Sequence, residues 1–398
     1  MLSFKYRVYP SKKQVLRLNR QMYLSKEIYN ILLEKCKEHY KQTGKTFSQF
    51  DMNKYISQIK QEKPEFKELH SQVLQNISKR IADSYKAFFR RVKTKKKGAK
   101  IKVGFPRVKK YVSSLTYPQA GFKFKNERRL HLSNIGSIPI VLHRLPKGEA
   151  KTCFIKQYPS GKWYVGFSCE LPKEDFKSNG KEKVGIDVGL TSFATLSNGQ
   201  KIEPPKFLRK SEDRLKLLQR RISRKKKGSK NKRKAKFRFA KLEEKVSNQR
   251  LDFLHKLSRQ QVNSYGLIAI EKLDIQDMRK TRYLAKSISD ASWGIYAQML
   301  HYKAPSAGCE VFDEDPVDTT KKCNKCGALR DMPLSERIYN CPVCGHIEDR
   351  DINAAKNILV KAMVGLTKSH ACGDSSSIHS TKNEQDVSLK QELYGART

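Results

Sequence analysis

Acidic residues are scarce in this chain. Its 398 residues hold 39 Asp and Glu against 83 Lys and Arg, a formal net charge of +44. Self-repulsion on that scale opposes compaction and exceeds what solubility requires. A polyanion resolves it most simply; nucleic acid is the usual one, and an acidic membrane surface is the competitor. Long apolar runs are also missing. None approaches the length of a membrane span, and the N-terminus lacks the apolar segment of a signal peptide, so the chain reads as soluble and intracellular. A disulfide pattern is absent too: of nine cysteines, Cys36, Cys153, Cys169, Cys309 and Cys372 stand singly, and the other four form two close pairs. An odd count in that arrangement excludes the framework of a small secreted scaffold. The length is enough for two or three domains.

What is present falls into two halves. "LSFKYRVYP" alternates as a strand and stops at Pro10. Helical patterning follows: Leu24, Ile28 and Leu32 share one face, and Val73, Ile77, Ile81, Tyr85 and Phe88 make a second stripe. The basic stretch at 90–102 reads as a flexible charged loop. Alternation returns with Phe122 and Phe124, Leu130 and Leu132, then Ile138, Ile140 and Leu142. A hairpin turning at Ser160-Gly161 follows, with Trp163, Val165, Phe167 and Cys169 on one face. A β unit interrupted by a helical insertion is therefore expected. Residues 172–183 read as a polar linker.

The second half opens with "VGIDVGLTSFATLSNGQ", an apolar strand, a Gly-flanked Asp and a turn at Asn198-Gly199. Helical stripes at Leu208, Leu215, Leu218 and Ile222, then Phe239, Leu242 and Val246, flank a basic run. A buried-type strand ends in "LIAIE", and the last 33 residues show no periodicity and read as disordered.

Three constellations carry chemistry. Cys323-x-x-Cys326 and Cys341-x-x-Cys344 have the spacing of two knuckles converging on one Zn²⁺. Four thiolates leave no open position, so that site is structural. Asp187 and Glu271 each end an apolar strand, where a charge is costly unless it is paired or bound to a cation. The glycines beside Asp187 leave room for a ligand's backbone. Asp351 precedes "INAAKNIL" and suits a helix N-cap, which does not prevent the same carboxylate from binding a metal. Singly, each acid is as well explained by an ion pair or a cap. Together, three carboxylates in a cationic protein are the set that holds a pair of Mg²⁺ for phosphodiester hydrolysis.

The run 220–238 has 12 Lys or Arg in 19 residues, a density that suits backbone contact with nucleic acid rather than sequence reading. Arg220, Arg221, Arg224, Lys225, Lys226, Lys227, Lys232, Arg233 and Lys234 are its candidate contacts. Tyr111, Tyr117, Trp163 and Trp293 could stack on bases, although most, Trp293 above all, suit a core.

In order along the chain, "GIDVGLTSFATLS", "IAIEKLDI", "LAKSISDASWG", "CNKCG…CPVCG" and "DRDINAAKNIL" closely resemble the TnpB family, transposon-encoded RNA-guided DNA nucleases related to type V CRISPR effectors. The resemblance spans nearly the whole chain, by layout more than motif in the first half. It implies an α+β multidomain protein. Residues 1–10 and 101–173 would form a wedge β-barrel and 11–100 a helical recognition domain, joined by a linker at 174–182. Residues 183–314 and 351–365 would form an RNase H-like RuvC domain, with a zinc ribbon at 315–350 and a disordered tail at 366–398. It also implies Asp187, Glu271 and Asp351 as catalytic Mg²⁺ ligands and Cys323, Cys326, Cys341 and Cys344 as zinc ligands. The partners would be a transposon-derived guide RNA and double-stranded target DNA, with no membrane. The compartment would be a prokaryotic cytoplasm, at the nucleoid. A short flanking DNA motif would be read by the protein, with Gln72, Gln75, Asn76, Lys79, Ser114 and Thr116 as candidates. Pro305 and the acidic "EDPVDTTKK" depart from the family pattern, and the first predicts an early helix end. Asp349 is the rival of Asp351. Intact acids argue against a catalytically silent RNA-guided regulator, and no nucleophile motif supports a DNA-strand transferase.

Overall fold

The computed structural model describes residues 1–171, 176–278, 280–281, 283–333 and 335–371, with the side chains of 276 and 367–371 excepted. It divides into two compact units, 1–173 and 174–398. Among the described residues no helix is long and apolar enough to cross a membrane.

The first unit runs β1 (Leu2–Val8), α1 (Lys12–Thr43), α2 (Gln49–Glu62), α3 (Ser71–Lys96), β2 (Ser114–Tyr117), β3 (Phe122–Asn126), β4 (Arg129–Leu132), β5 (Gly136–Val141), β6 (Glu149–Gln157) and β7 (Trp163–Glu170). Ser11 and Gln14 form a capping box that starts α1, and Gly44 ends it at φ 67°, so one unbroken helix fills the interval. The α3 stripe at Val73, Ile77, Ile81 and Tyr85 is buried, each large apolar side chain contributing about 1.5–3 kcal/mol. The helix also runs on to Lys96, so the first half of the expected 90–102 loop is helical. Lys and Arg are good helix formers, and their long side chains keep their charges in water.

The seven strands order as β2-β6-β7-β1-β5-β4-β3. Phe122 and Phe124 of β3 pack on Phe167 of β7 at 6.0 and 5.0 Å between ring centroids. In a flat sheet, strands four places apart would lie about 19 Å apart, so this sheet curls over its core. No ladder joins β2 to β3 among the described residues.

The second unit runs β8 (Lys183–Val188), β9 (Ala194–Leu196), β10 (Lys201–Ile202), α4 (Phe207–Ser223), α5 (Lys230–Ser264), β11 (Leu267–Glu271), α6 (Ile275–Met278), α7 (Ala285–Ala291), α8 (Trp293–Lys303), β12 (Glu310–Glu314), β13 (Ile338–Asn340), β14 (Ile347–Asp349) and α9 (Arg350–Ala371). Five strands order as β10-β9-β8-β11-β12, with β8, β11 and β12 parallel, β9 antiparallel to β8 and β10 antiparallel to β9. One face packs Ile186, Ile268 and Ile270 on Leu254, Trp293, Tyr296 and Leu300 of α5 and α8. On the other face, Leu267 and Ala269 meet Ile358 and Ala362 of α9. Pro305 lies in a short 3₁₀ turn directly after α8.

Two expected boundaries shift. The polar segment before β8 is not free chain. Asn179 bonds through its amide nitrogen to the carbonyls of Tyr265 and Ala307, and Glu182 accepts from the Gly266 N–H. Helix α9 continues past 365 to Ala371, while 372–398, with Cys372 and most of the expected tail, lie outside the described residues.

Candidate metal-binding active site

Register sets the first two acids side by side. Ile186 of β8 pairs with Ile270 of β11 in a parallel ladder, so Asp187 and Glu271 follow on neighbouring strands at their carboxyl ends. Period-two alternation puts Asp187 on the face of Gly185, and Glu271 on the face of Leu267 and Ala269. Both are the face that α9 covers.

That helix comes unusually close. A Cβ on Gly185 would sit 1.9 Å from the Ala355 carbonyl oxygen, and Ala354 and Ala355 are fully buried. The glycine beside Asp187 therefore admits α9 rather than a ligand's backbone, correcting the expectation for it. Asp351 lies four helical residues, about 6 Å, before Ala355, and Asp187 lies two strand residues, about 6.6 Å, beyond Gly185. The two steps match, and Asp351 faces the strand end.

The electrostatics follow from this crowding. Burial, then the charges of Glu271 and Asp351, push the Asp187 carboxyl up to about 8, against the pull of Arg350; Asp349 adds the least. Glu271 is raised by burial, opposed by the Thr319 hydroxyl that donates to it and by Lys361. An anion set this poorly compensated favours a proton or a cation. Hard carboxylate oxygens are the donors that Mg²⁺ takes.

The helix cap is not the residue expected from the sequence. Asp349, not Asp351, caps α9: its Oδ1 accepts from the backbone N–H groups of Asp351 and Ile352 at 3.1 and 3.2 Å. It also pairs with Lys201 at 2.6 Å. Cap and candidate metal ligand are thus different residues, and Asp351 accepts a hydrogen bond from Arg350 Nε at 3.3 Å and lies 3.9 Å from the Arg337 guanidinium.

The four cysteines are the only group of three or more His, Cys, Asp or Glu among the described residues whose ligand atoms all lie within 4.8 Å of one another. Cys323 and Cys344 sulfurs are 3.8 Å apart and Cys326 and Cys341 sulfurs 3.5 Å. Tetrahedral thiolates about 2.3 Å from a zinc would be about 3.8 Å apart, so the cluster is compatible with structural Zn²⁺. Each knuckle closes through a glycine at positive φ, Gly327 at 77° and Gly345 at 70°.

Residues that the sequence reading passed over tie the two sites together. Asn353, fully buried, donates to the Lys322 carbonyl at 2.8 Å and accepts from the Asn324 N–H at 3.0 Å. Asn357, one turn on, donates to the Thr319 carbonyl at 2.9 Å. Arg350, also buried, donates to the Glu336 carbonyl at 3.0 Å. Asn353 and Asn357, polar residues at i and i+4 within the largely apolar run after Asp351, were the available signal.

The basic run is a helical hairpin tip. Arg220 and Arg221 end α4, Arg224 to Lys227 lie in the turn, and Lys232, Arg233 and Lys234 open α5. Most of these side chains are exposed, and Lys232 Nζ caps the Lys225 carbonyl at 3.0 Å. In the first unit Asn76, Ser114 and Thr116 line one cleft with Arg80 and Lys109. Burial, and then Arg80, pull Lys109 down to about 8. Gln72, Gln75 and Lys79 do not line that cleft, and Gln75 and Lys79 are exposed. Tyr117, Trp163 and Trp293 are buried and cannot stack on bases, whereas Tyr111 is exposed.

Three family models match: "Probable transposase" over 166–282, "Cas12f1-like, TNB domain" over 293–358 and "Helix-turn-helix domain" over 1–45. The last covers one strand and one uninterrupted helix. A relative from Streptomyces pristinaespiralis, "Putative RNA-guided DNA endonuclease", is 33% identical over 94% of this chain and 91% of its own length. Escherichia coli (strain K12) InsQ, of the same description, is 29% identical over 94% of each. A Cas12f1 structure, solved with sgRNA and target DNA, shares the fold at a TM-score of 0.55 and 18% identity, covering 87% of this chain and 82% of that one. With a relative one-third identical along nine-tenths of its length, and transposase and TNB models matched in turn, the chain belongs to the TnpB family.

Proposed function

We propose that this protein is an RNA-guided DNA endonuclease that hydrolyses phosphodiester bonds at a single RuvC-like site. The observation that carries the reading is the crowding of Asp187 by Glu271 and Asp351 at the ends of adjacent parallel strands. On this reading the five-stranded sheet and α9 are an RNase H-like core, with the 315–350 segment its zinc ribbon. The curled sheet is the wedge, and α1 to α3 are the recognition helices. The relatives' printed names point the same way.

Asp187, Glu271 and Asp351 would hold a pair of Mg²⁺. Bound there, the ions would supply Lewis-acid activation of water and charge neutralisation at the phosphate. The chain's own residues do the positioning. Thr319 orients the Glu271 carboxylate by donating to it, and Arg350 stands beside Asp351. Zinc held by Cys323, Cys326, Cys341 and Cys344 would fix the first knuckle, and Asn353 and Asn357 carry that order into α9. Asp349 fixes where the helix begins. The hairpin tip, Arg220 to Lys234, grips RNA and DNA backbones, while Asn76, Ser114 and Thr116 read the flanking motif. The setting is a prokaryotic cytoplasm, at the nucleoid.

Cleavage of a target plasmid by the protein with its cognate RNA and Mg²⁺ tests the reading. Linearised or nicked product with Mg²⁺, and none with chelator, is the expected result. Tight target binding without any cutting would instead make the protein a silent RNA-guided regulator.

A further inference from the structure

A cavity of about 510 Å³ opens just beyond the strand that carries Asp187. Leu190, Phe193, Phe207 and Ala291 form its apolar wall, and Arg209 and Lys286 stand at its mouth. The cavity is open to solvent on one side, and α4, which forms one wall, buries none of its side chains fully. The cations are held in place. Arg209 donates to Ser287 Oγ at 3.1 Å, and Lys286 pairs with Glu212, whose carboxylate also pairs with Lys216 at 2.8 Å. Two lysines share that one acid, and Asp290 on the wall is already paired with Arg250 at 2.6 Å, so the mouth is net positive. Gly189, also on the wall, is two residues from Asp187, at most about 7 Å along the chain. One nucleotide step of an extended strand spans a comparable distance.

We propose that this cavity seats the base of one nucleotide of the DNA strand being cut, next to the scissile phosphate. The apolar wall receives the base face, and Arg209 and Lys286 receive the adjoining phosphates. The base then anchors the strand at the carboxyl end of β8, the end that carries Asp187. This rests on the nuclease reading of that residue.

The test uses the full chain with its RNA. A target strand carrying a single abasic site, moved one position at a time past the cut, should be cut about tenfold more slowly at one position only, the scale of one lost stacking contact. Ala291→Phe, which adds a ring to the cavity wall, should slow intact DNA by a similar factor with target binding unchanged, and should add nothing to the abasic loss. A second arm needs no cutting and no variant. In chelator, 2-aminopurine at that position of a single strand should change its emission on binding, while neighbouring positions do not. That arm passes or fails whatever Asp187→Ala does. Uniform cutting at every abasic position, losses that multiply, or emission independent of position would overturn the proposal.

Discussion

The thiolate cluster and the carboxylate cluster of the second unit are both sets of metal-ligand residues, and they are built differently. Cys323, Cys326, Cys341 and Cys344 come from one short segment, and local turns alone bring their sulfurs within 4.8 Å. Asp187, Glu271 and Asp351 come from two strands and a helix distant in sequence, and no such tight group forms among them. The thiolate set is closed and suits structure. The carboxylate set is open and half-buried, and burial, then repulsion from Glu271 and Asp351, raises Asp187. An open anionic set leaves positions for water and phosphate, which a closed tetrahedron does not. The sites are nonetheless coupled, because Asn353 and Asn357 bond the first knuckle to the helix that presents Asp351.

Apart from loss of Asp187 itself, breaking the closed site should have the largest effect. Cys341→Ser is expected to release the bound zinc, unfold the 315–350 segment and lower cleavage by about 10³-fold, since structural zinc supplies folding energy outright. Metal analysis beside a cleavage assay checks both parts. Next comes the division between the two neighbouring acids. Asp351→Asn should reduce cleavage by about 10²-fold or more, while Asp349→Asn should change it by less than about tenfold and cost about 1 kcal/mol of stability as a weakened cap. Equal losses in the two rates would erase the distinction drawn here.

Metal-free stability sharpens the contrast further. Asp187 ionises in the folded protein only near pH 8, against about 4 when unfolded. Its charge therefore costs nothing below about pH 4, and the cost grows as pH rises to about 8. In chelator at pH 8, Asp187→Asn should melt several degrees above wild type, with the gap closing toward pH 4 and shrinking when Mg²⁺ is added; calorimetry reads it. The smallest effect is expected from Thr319→Val, which removes the donor to Glu271. Cleavage should fall about three- to tenfold with zinc content unchanged.

The same comparison explains what the sequence revealed. The cysteines were legible because CxxC spacing is itself the geometry. The strand-end acids were legible as types, since a carboxylate closing an apolar strand is conspicuous. Their adjacency depends on the pairing of β8 with β11, which no local pattern states. Asp349 and Asp351 could not be separated, because a cap is defined by where the helix ladder begins. Gly185 was misread for a similar reason: its neighbour is Ala355, remote in sequence. The helical extension to Lys96 was hidden by a charge run that reads as loop but has good helix propensity.

On the proposed function, Asp187 belongs to a catalytic Mg²⁺ site. The most direct test is cleavage of a target plasmid by wild type and by Asp187→Ala, each with cognate RNA and Mg²⁺, with RNA binding measured in parallel. Wild-type cutting, with loss of about 10³-fold or more in the variant and unchanged RNA binding, is the predicted result. An Asp187→Ala protein that cuts at the wild-type rate would contradict it.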